Sequence, residues 1–308
     1  MKFNMELTTA KTHSELDWNS VKKAFSDVNE ELCGEQITSP FDLYSVEQLR
    51  DKHKLRKGNG VLSDAFVLGR GKSTKREVTK VSGLPFFPKA REWPNTPEGE
   101  PYQFLAQFNF ADSRDIVANV PGDILLLFVP QDDEDWLWET AKVRCEWVKL
   151  SEGEPIEKLP SNVKPFCESE WYGVIHRTKD YPESQDAADE LEVDQAYNLP
   201  ILNGTKIGGI PHGIQSAPDL AVDPKTGFPV AQVETEDGFR GRFLCQITSI
   251  QAAPDVPFPW TNQKAPLSLD FNEKGIYGES NQCVFGDMGT LYVFMNDAGE
   301  CIASFECY

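Results

Sequence analysis

Positive charge is scarce in this sequence: 30 Lys and Arg stand against 49 Asp and Glu, a net charge of −19. A phosphate backbone is repelled by such a surface, which argues against a nucleic-acid binder. Long apolar runs are missing too. The longest, Ile124–Val129, falls far short of the roughly 18 residues of a membrane-spanning helix, and the opening MKFNMELTTAK has no apolar signal core. A soluble, cytoplasmic protein without a membrane partner is expected. There are only 4 His, and the 7 Cys contain no C-x-x-C pair, so the short ligand spacings of a zinc site are absent and neither metal nor cofactor is expected. An odd number of scattered cysteines predicts reduced thiols. Catalytic signatures are equally thin. No G-x-S-x-G elbow occurs, Gly71-Lys72-Ser73-Thr74 has Phe66 where a P-loop needs its first glycine, and Gly69-Arg70-Gly71 has Thr74 where a dinucleotide fingerprint needs its third. No catalytic residue is assigned.

What is present is enough chain for a sizeable core: 308 residues, 40% hydrophobic. Leu16, Val21, Ala24, Phe25 and Val28 recur at helical spacing behind Ser14, a candidate cap. A second helix is expected from Ser45, with Gln48 completing a capping box and Gly58-Asn59-Gly60 as its stop. From Asp64 onward the period falls toward two, with Pro and Gly between short apolar stretches and a weak helical signal only at 183–198. The basic stretch 69–80 and the acidic stretches 131–135 and 183–194 read as solvated faces. The expected fold class is α+β, with a β-rich body built from two related β motifs and N-terminal helices packed on it. In domain terms, residues 1–60 form the helical segment and residues 61–308 a single β-rich domain.

The duplication is read from order. Gly83-Leu84-Pro85, FLAQFNF (104–110) and PGDILLLFV (121–129) come first; Gly209-Ile210-Pro211, FLCQITSI (243–250) and FGDMGTLYVFM (285–295) follow, giving pseudo-repeats at about 80–130 and 205–296. Strict alternation puts Phe104, Ala106, Phe108 and Phe110 on one face and Leu105, Gln107 and Asn109 on the other, with Phe243, Cys245 and Ile247 opposing Leu244, Gln246 and Thr248. Gln107 and Gln246 therefore occupy matching positions, either as buried amides with their partners or as ligand contacts. Asp123 and Asp287 follow a glycine before each strand, as turn caps or as paired acids at the pseudo-dyad. The runs ILLLFV and LYVFM have no polar alternation and read as strands buried on both faces.

These motifs resemble the YwqG-like family, a bacterial domain of unknown function. The likeness lies in SGLPFFP with Trp93-Pro94, in FLAQFNF and PGDILLLFV, in TKIGGIPHGIQ (205–215), in FLCQITS and in CVFGDMGTLYVF. It spans about residues 80 to 296, leaves residues 1–60 outside, and implies an α+β fold with a duplicated β-rich motif. It implies no activity.

Two functional expectations follow. The first is a non-enzymatic protein-interaction module whose acidic surface suits a basic protein partner, in its most specific form an immunity or antidote protein masking a basic toxin. Trp93-Pro94, Trp136-Leu137-Trp138 and Phe258-Pro259-Trp260 offer contact material in loop-like settings. The alternative is a small-molecule site or enzyme in the cleft between the repeats, lined by Trp93, Gln107, Gln246 and His212, with Asp123 and Asp287 as acids. His176, beside Arg177, reads as a structural histidine.

Overall fold

In the computed structural model, residues 13, 15–24, 28, 36–37, 40–56, 58, 60–131, 135–182, 191, 193–215, 220–222, 229–234, 238–251, 282–284 and 286–308 are described. The strands, in chain order, are β1 (Val61–Arg70), β2 (Lys80–Val81), β3 (Tyr102–Asn109), β4 (Ile124–Pro130), β5 (Arg144–Val148), β6 (Trp171–Asp180), β7 (Lys206–Gly208), β8 (Leu220–Val222), β9 (Pro229–Glu234), β10 (Arg240–Thr248), β11 (Ile250–Gln251), β12 (Gln282–Cys283), β13 (Thr290–Met295) and β14 (Cys301–Glu306). Ten of them run in the order β14-β13-β10-β7-β1-β6-β2-β3-β4-β5; β9 adds to β10 and β8 to β9. The two longest, β1 and β6, lie antiparallel at the centre, from Val61 opposite Asp180 to Arg70 opposite Trp171. Outward from them the sheet repeats itself: a short strand, then a long bulged one, then an apolar one, then an edge strand.

Inward-facing side chains fill the sheet's concave side. Phe66, Leu68, Val81, Phe108, Leu125, Leu127, Trp171, Ile175, Ile207, Ile247, Leu291 and Val293 form one buried cluster. The sheet curls until its edges meet, with Trp138 packed edge-on against Phe305 and Cys145 of β5 and Cys301 of β14 packed against the same interior cluster. The result is a nearly closed, side-chain-filled, barrel-like sheet.

The α+β expectation, a two-motif body with N-terminal helices packed on it, is corrected by this architecture. Helix is a minor component: α1 (Trp18–Ala24), α2 (Pro40–Lys52) and α3 (Val193–Asn198) are all short, and strands carry the structure. The N-terminal segment is also built into the barrel. Glu15 bridges to Ile175, Leu16 N–H donates to the Ile175 carbonyl, and buried His13 accepts the Thr79 N–H at Nε2 (2.6 Å). That bond leaves the His13 proton on Nδ1, facing Asp112 Oδ2 at 3.2 Å. Leu43, Val46 and Leu49 join one cluster with Ala65, Val67, Val174, Leu199 and Leu202, so α2 shares its buried face with β1 and β6.

Local boundaries shift for identifiable reasons. The second helix begins at Pro40, whose fixed φ suits the first helical position, and Ser45 is buried mid-helix. It ends before Gly58: Lys54 takes φ 55° while Leu55 N–H reaches back to the Arg50 carbonyl. Ser14 and residues 25–27 and 29–31 of the first expected helix lie outside the described residues, as do 183–190, 192 and 132–134. The basic stretch 69–80 is not wholly exposed, since Val78, Thr79 and Lys80 are buried.

The strict alternation also fails in one place, twice. Phe104 faces Phe128 and Ala106 faces Leu127, so Leu105 is an extra residue; likewise Phe243 faces Phe294 and Cys245 faces Val293, leaving Leu244 extra. A bulge reverses the pleat. Phe104 and Phe243 therefore pack on the outer face, with Phe87 and Phe128 and with Tyr292 and Phe294 respectively, while Ala106, Phe108, Phe110, Cys245 and Ile247 point inward. Cys167 and Cys283, expected as free thiols, are joined in a disulfide, while Cys145, Cys245, Cys301 and Cys307 are free.

Candidate functional site

Two loops are held by the same set of hydrogen bonds. Gln107 Oε1 accepts the N–H of Phe86, the residue after Pro85, and its Nε2 donates to the carbonyls of Val78 (2.7 Å) and Arg76 (2.9 Å). Gln246 Oε1 accepts the N–H of His212, the residue after Pro211, and its Nε2 donates to the Gly204 carbonyl (2.9 Å). Thr79 Oγ1 takes the N–H of Asn109, two residues past the first glutamine; Thr205 Oγ1 takes that of Thr248, two past the second. Each loop thus spells Thr-Lys-apolar-x-Gly-apolar-Pro, TKVSGLP and TKIGGIP. A leucine at either glutamine strands buried N–H and C=O groups and should cost about 1–3 kcal/mol in urea unfolding.

The lysines of these strings are buried ion pairs. Lys80 Nζ lies 2.8 Å from Glu170, and Lys206 Nζ lies 2.7 Å from Asp180 Oδ2 and 2.8 Å from the Leu202 carbonyl. The two acids come from opposite ends of β6, Asp180 as its last residue and Glu170 just before its first. Gly83 and Gly209, both at φ +75°, are required there, because a Cβ would run into the Glu170 and Asp180 carboxylates. Burial pushes both lysine pKa values down, against the pull of their acids. The second pair extends inward: Arg50, fully buried, approaches Asp180 at 3.6 Å and donates to the carbonyls of Leu199, Pro200 and Lys179. Glu47 completes this network. Burial raises its pKa, but the nearby His176 ring, 3.7 Å away, and the Arg50 and Arg56 guanidiniums outweigh that and hold it at about 2.

A different surface lies where the sheet edges meet. Among the described residues four large hydrophobic side chains are exposed, Leu62, Trp138, Val284 and Tyr308, and Trp138 stands at this seam. Trp138 is 71% exposed, its ring centroid 5.8 Å from that of Phe305. The 286–289 turn lies against Phe305, and Tyr308 N–H bonds the Asp287 carbonyl. Asp135, Glu139 and Asp287 are exposed along the same elements.

The model of a domain family of unknown function, DUF1963, matches residues 79–299. The chain belongs to that family. No curated protein matches the sequence. The DUF1963 match opens at Thr79, the first residue of the first repeated string, and takes in both glutamine clamps.

Within the DUF1963 fold the six candidate residues divide among separate places. Gln107 and Gln246 bond backbone groups of two different loops. Trp93 donates from Nε1 to the Tyr102 carbonyl (2.8 Å) and packs on Phe87 and Phe128. His212 contacts Asn198 Oδ1 through Nε2 (2.8 Å), and its carbonyl accepts the Tyr292 hydroxyl; burial, then Lys206, lowers its pKa to about 3. Asp123 accepts the Leu150 N–H and pairs with Arg114, whereas Asp287 is exposed. The ladders also change the correspondence between these acids. Phe110 N–H bonds the Asp123 carbonyl and Ser249 N–H bonds the Gly289 carbonyl, so the counterpart of Asp123 is Gly289. His176 lies 3.7 Å from Glu47 and edge-on to Trp18; Phe258, Pro259 and Trp260 lie outside the described residues. Sequence reasoning missed Lys80, Lys206, Thr79 and Thr205, although comparing TKVSGLP with TKIGGIP letter by letter exposes all four. No helix among the described residues is long and apolar enough to cross a membrane.

Proposed function

We propose that this protein is a non-enzymatic interaction module that presents the seam around Trp138 to a basic protein surface. The observation that carries the reading is exposed Trp138 packed edge-on against Phe305, with Asp135, Glu139 and Asp287 exposed as well. An exposed tryptophan flanked in the chain by acidic residues suits an interface hot spot, and the chain's net charge of −19 favours a cationic partner. In its most specific form the module is an immunity or antidote protein that masks a basic toxin in the cytoplasm. Its likeness to YwqG-like domains, finer than DUF1963 membership, rests on the motif series.

The test is association kinetics with the captured partner. Asp135→Asn with Glu139→Gln and Asp287→Asn should slow association at low salt and flatten its salt dependence, with little change at high salt. Equal association rates for variant and wild type at low salt would remove the electrostatic part of the proposal.

A further inference from the structure

Four segments of the chain close into one hydrogen-bonded ring. Ile37 N–H donates to the Asn203 carbonyl (2.7 Å), Gln36 Nε2 to the Met288 carbonyl (2.6 Å), Tyr308 N–H to the Asp287 carbonyl (3.1 Å), and Asn203 Nδ2 returns to the Tyr308 hydroxyl (3.3 Å). Both side-chain amides of this ring spend their NH2 groups on it and leave their oxygens over. Among the described residues, Gln36 Oε1 and Asn203 Oδ1 are the only buried side-chain amide oxygens without a hydrogen-bond donor. The two residues are 8% and 2% exposed. Thr290 Oγ1, also buried and without a donor, stands two residues past Met288, opposite Thr248 of β10. Buried acceptors are ordinarily met, so two unmet amide oxygens in one ring point to a ligand that supplies positive charge. We propose that this ring holds a calcium ion, with Gln36 Oε1 and Asn203 Oδ1 as buried ligands and Asp287, an exposed member of the same ring, as its acid.

The donors decide the class of ion. Amide and carboxylate oxygens are hard ligands, and among the described residues no group of three His, Cys, Asp or Glu side chains is placed to hold a metal, so the set is not that of zinc. Magnesium keeps much of its water and demands octahedral geometry, whereas calcium accepts neutral carbonyl oxygens in irregular arrangements. Calcium also approaches its oxygens to about 2.3–2.6 Å, closer than the roughly 2.7–2.8 Å of a hydrogen-bonded water, which suits oxygens sealed from solvent. Met288 takes φ 50°, which few residues other than glycine adopt, and in that conformation the Asp287 and Met288 carbonyls both serve the ring. The chain's net charge of −19 raises the local concentration of cations. With a single acid the site belongs among weak calcium sites, with a dissociation constant of about 10⁻⁴–10⁻³ M.

The experiment strips the purified full-length chain with EDTA and titrates it with calcium chloride by isothermal titration calorimetry, with melting midpoints in calcium, magnesium and sodium chloride at matched ionic strength. One saturable equivalent of calcium is expected, and a midpoint raised by calcium beyond the other two salts. Asn203→Asp keeps Oδ1 and adds a charge, and the Tyr308 hydroxyl can turn to donate to it, so calcium should bind about tenfold tighter. Gln36→Met removes Oε1 at similar size and should weaken calcium by about tenfold or more. Two amides that only tie segments together predict no gain of calcium affinity in Asn203→Asp. Should Gln36→Met fail to fold, the Asn203→Asp titration decides. No saturable heat in the wild type, equal midpoints in calcium and magnesium, or calcium affinity unchanged by Asn203→Asp overturns the proposal.

Discussion

Asp180→Asn destabilises the protein by about 3–5 kcal/mol in urea unfolding near neutral pH, the largest single effect expected of any change outside the interior cluster. The Asp180 carboxylate accepts the Leu202 and Ile210 N–H groups and Lys206 Nζ, and Arg50 lies within ion-pair distance. The amide keeps its size but removes the charge, leaving Lys206 and Arg50 buried with Glu47 as the remaining acid of the network. Lys206 then sheds its proton more readily, because a buried ammonium without a counter-ion is costlier than a neutral amine. The deficit should therefore shrink as pH rises toward the unfolded lysine value, and Lys206→Met added to Asp180→Asn should recover part of it. Glu170→Gln, facing Lys80 at a slightly more open site, should cost less. Equal costs for the two acids, independent of pH, would contradict this account of the network.

The second large effect is a loss of stability in mild acid, driven by His212. Its folded pKa of about 3 lies below the ordinary 6.5, so the unfolded chain takes up the proton first. The stability it contributes is complete above 6.5 and drains away as pH falls toward 3. At pH 4.5 the loss is about 2–3 kcal/mol, at about 1.36 kcal/mol per pKa unit. Glu47, held at about 2, adds a second limb that begins only below its ordinary 4.5. The clean variant is His212→Phe, since Phe86 occupies the matching place beside Gln107, and only the backbone N–H at this position is needed by Gln246. Unfolding free energies between pH 7 and 4.5 should slope steeply for the wild type and little for His212→Phe. A shared slope would place the proton uptake on other groups.

The barrel was legible in the sequence only in part, and its limits are physical. Burial on both faces could be read from ILLLFV and LYVFM, because neither alternates: Leu125 and Leu127 point inward while Leu126 and Phe128 point outward. The side on which Phe104 and Phe243 pack could not be read, since a single bulged leucine in each strand reverses every residue before it and no local residue preference marks the bulge. Pairing Asp123 with Asp287 failed similarly, as letters aligned on Gly-Asp differ by two residues from the register set by Phe110 and Ser249. The minor share of helix was hidden by amphipathic spacing at 14–31 and 45–57, which shows an apolar stripe without revealing that the same segment also bridges to β6. The seam was the least accessible feature. Trp138 and Phe305 are far apart in the chain, and only the curl of the sheet brings them together.

These features give the repeated residues and the seam different duties. The glutamines, threonines and lysines that recur in both halves serve backbone groups and buried acids, so their loss should appear as lost stability. Among the described residues the one ring contact of exposed Trp138 is with Phe305, so its loss is expected to appear in binding. The most direct measurement is quantitative affinity capture of the partner at low salt on immobilised wild type and Trp138→Ala, at equal folded protein. The account predicts a basic protein retained in stoichiometric amount by the wild type, and weakened on Trp138→Ala by on the order of thirtyfold, the about 2 kcal/mol of an interface anchor. Undiminished retention by Trp138→Ala, or a retained partner that is itself acidic, would contradict it.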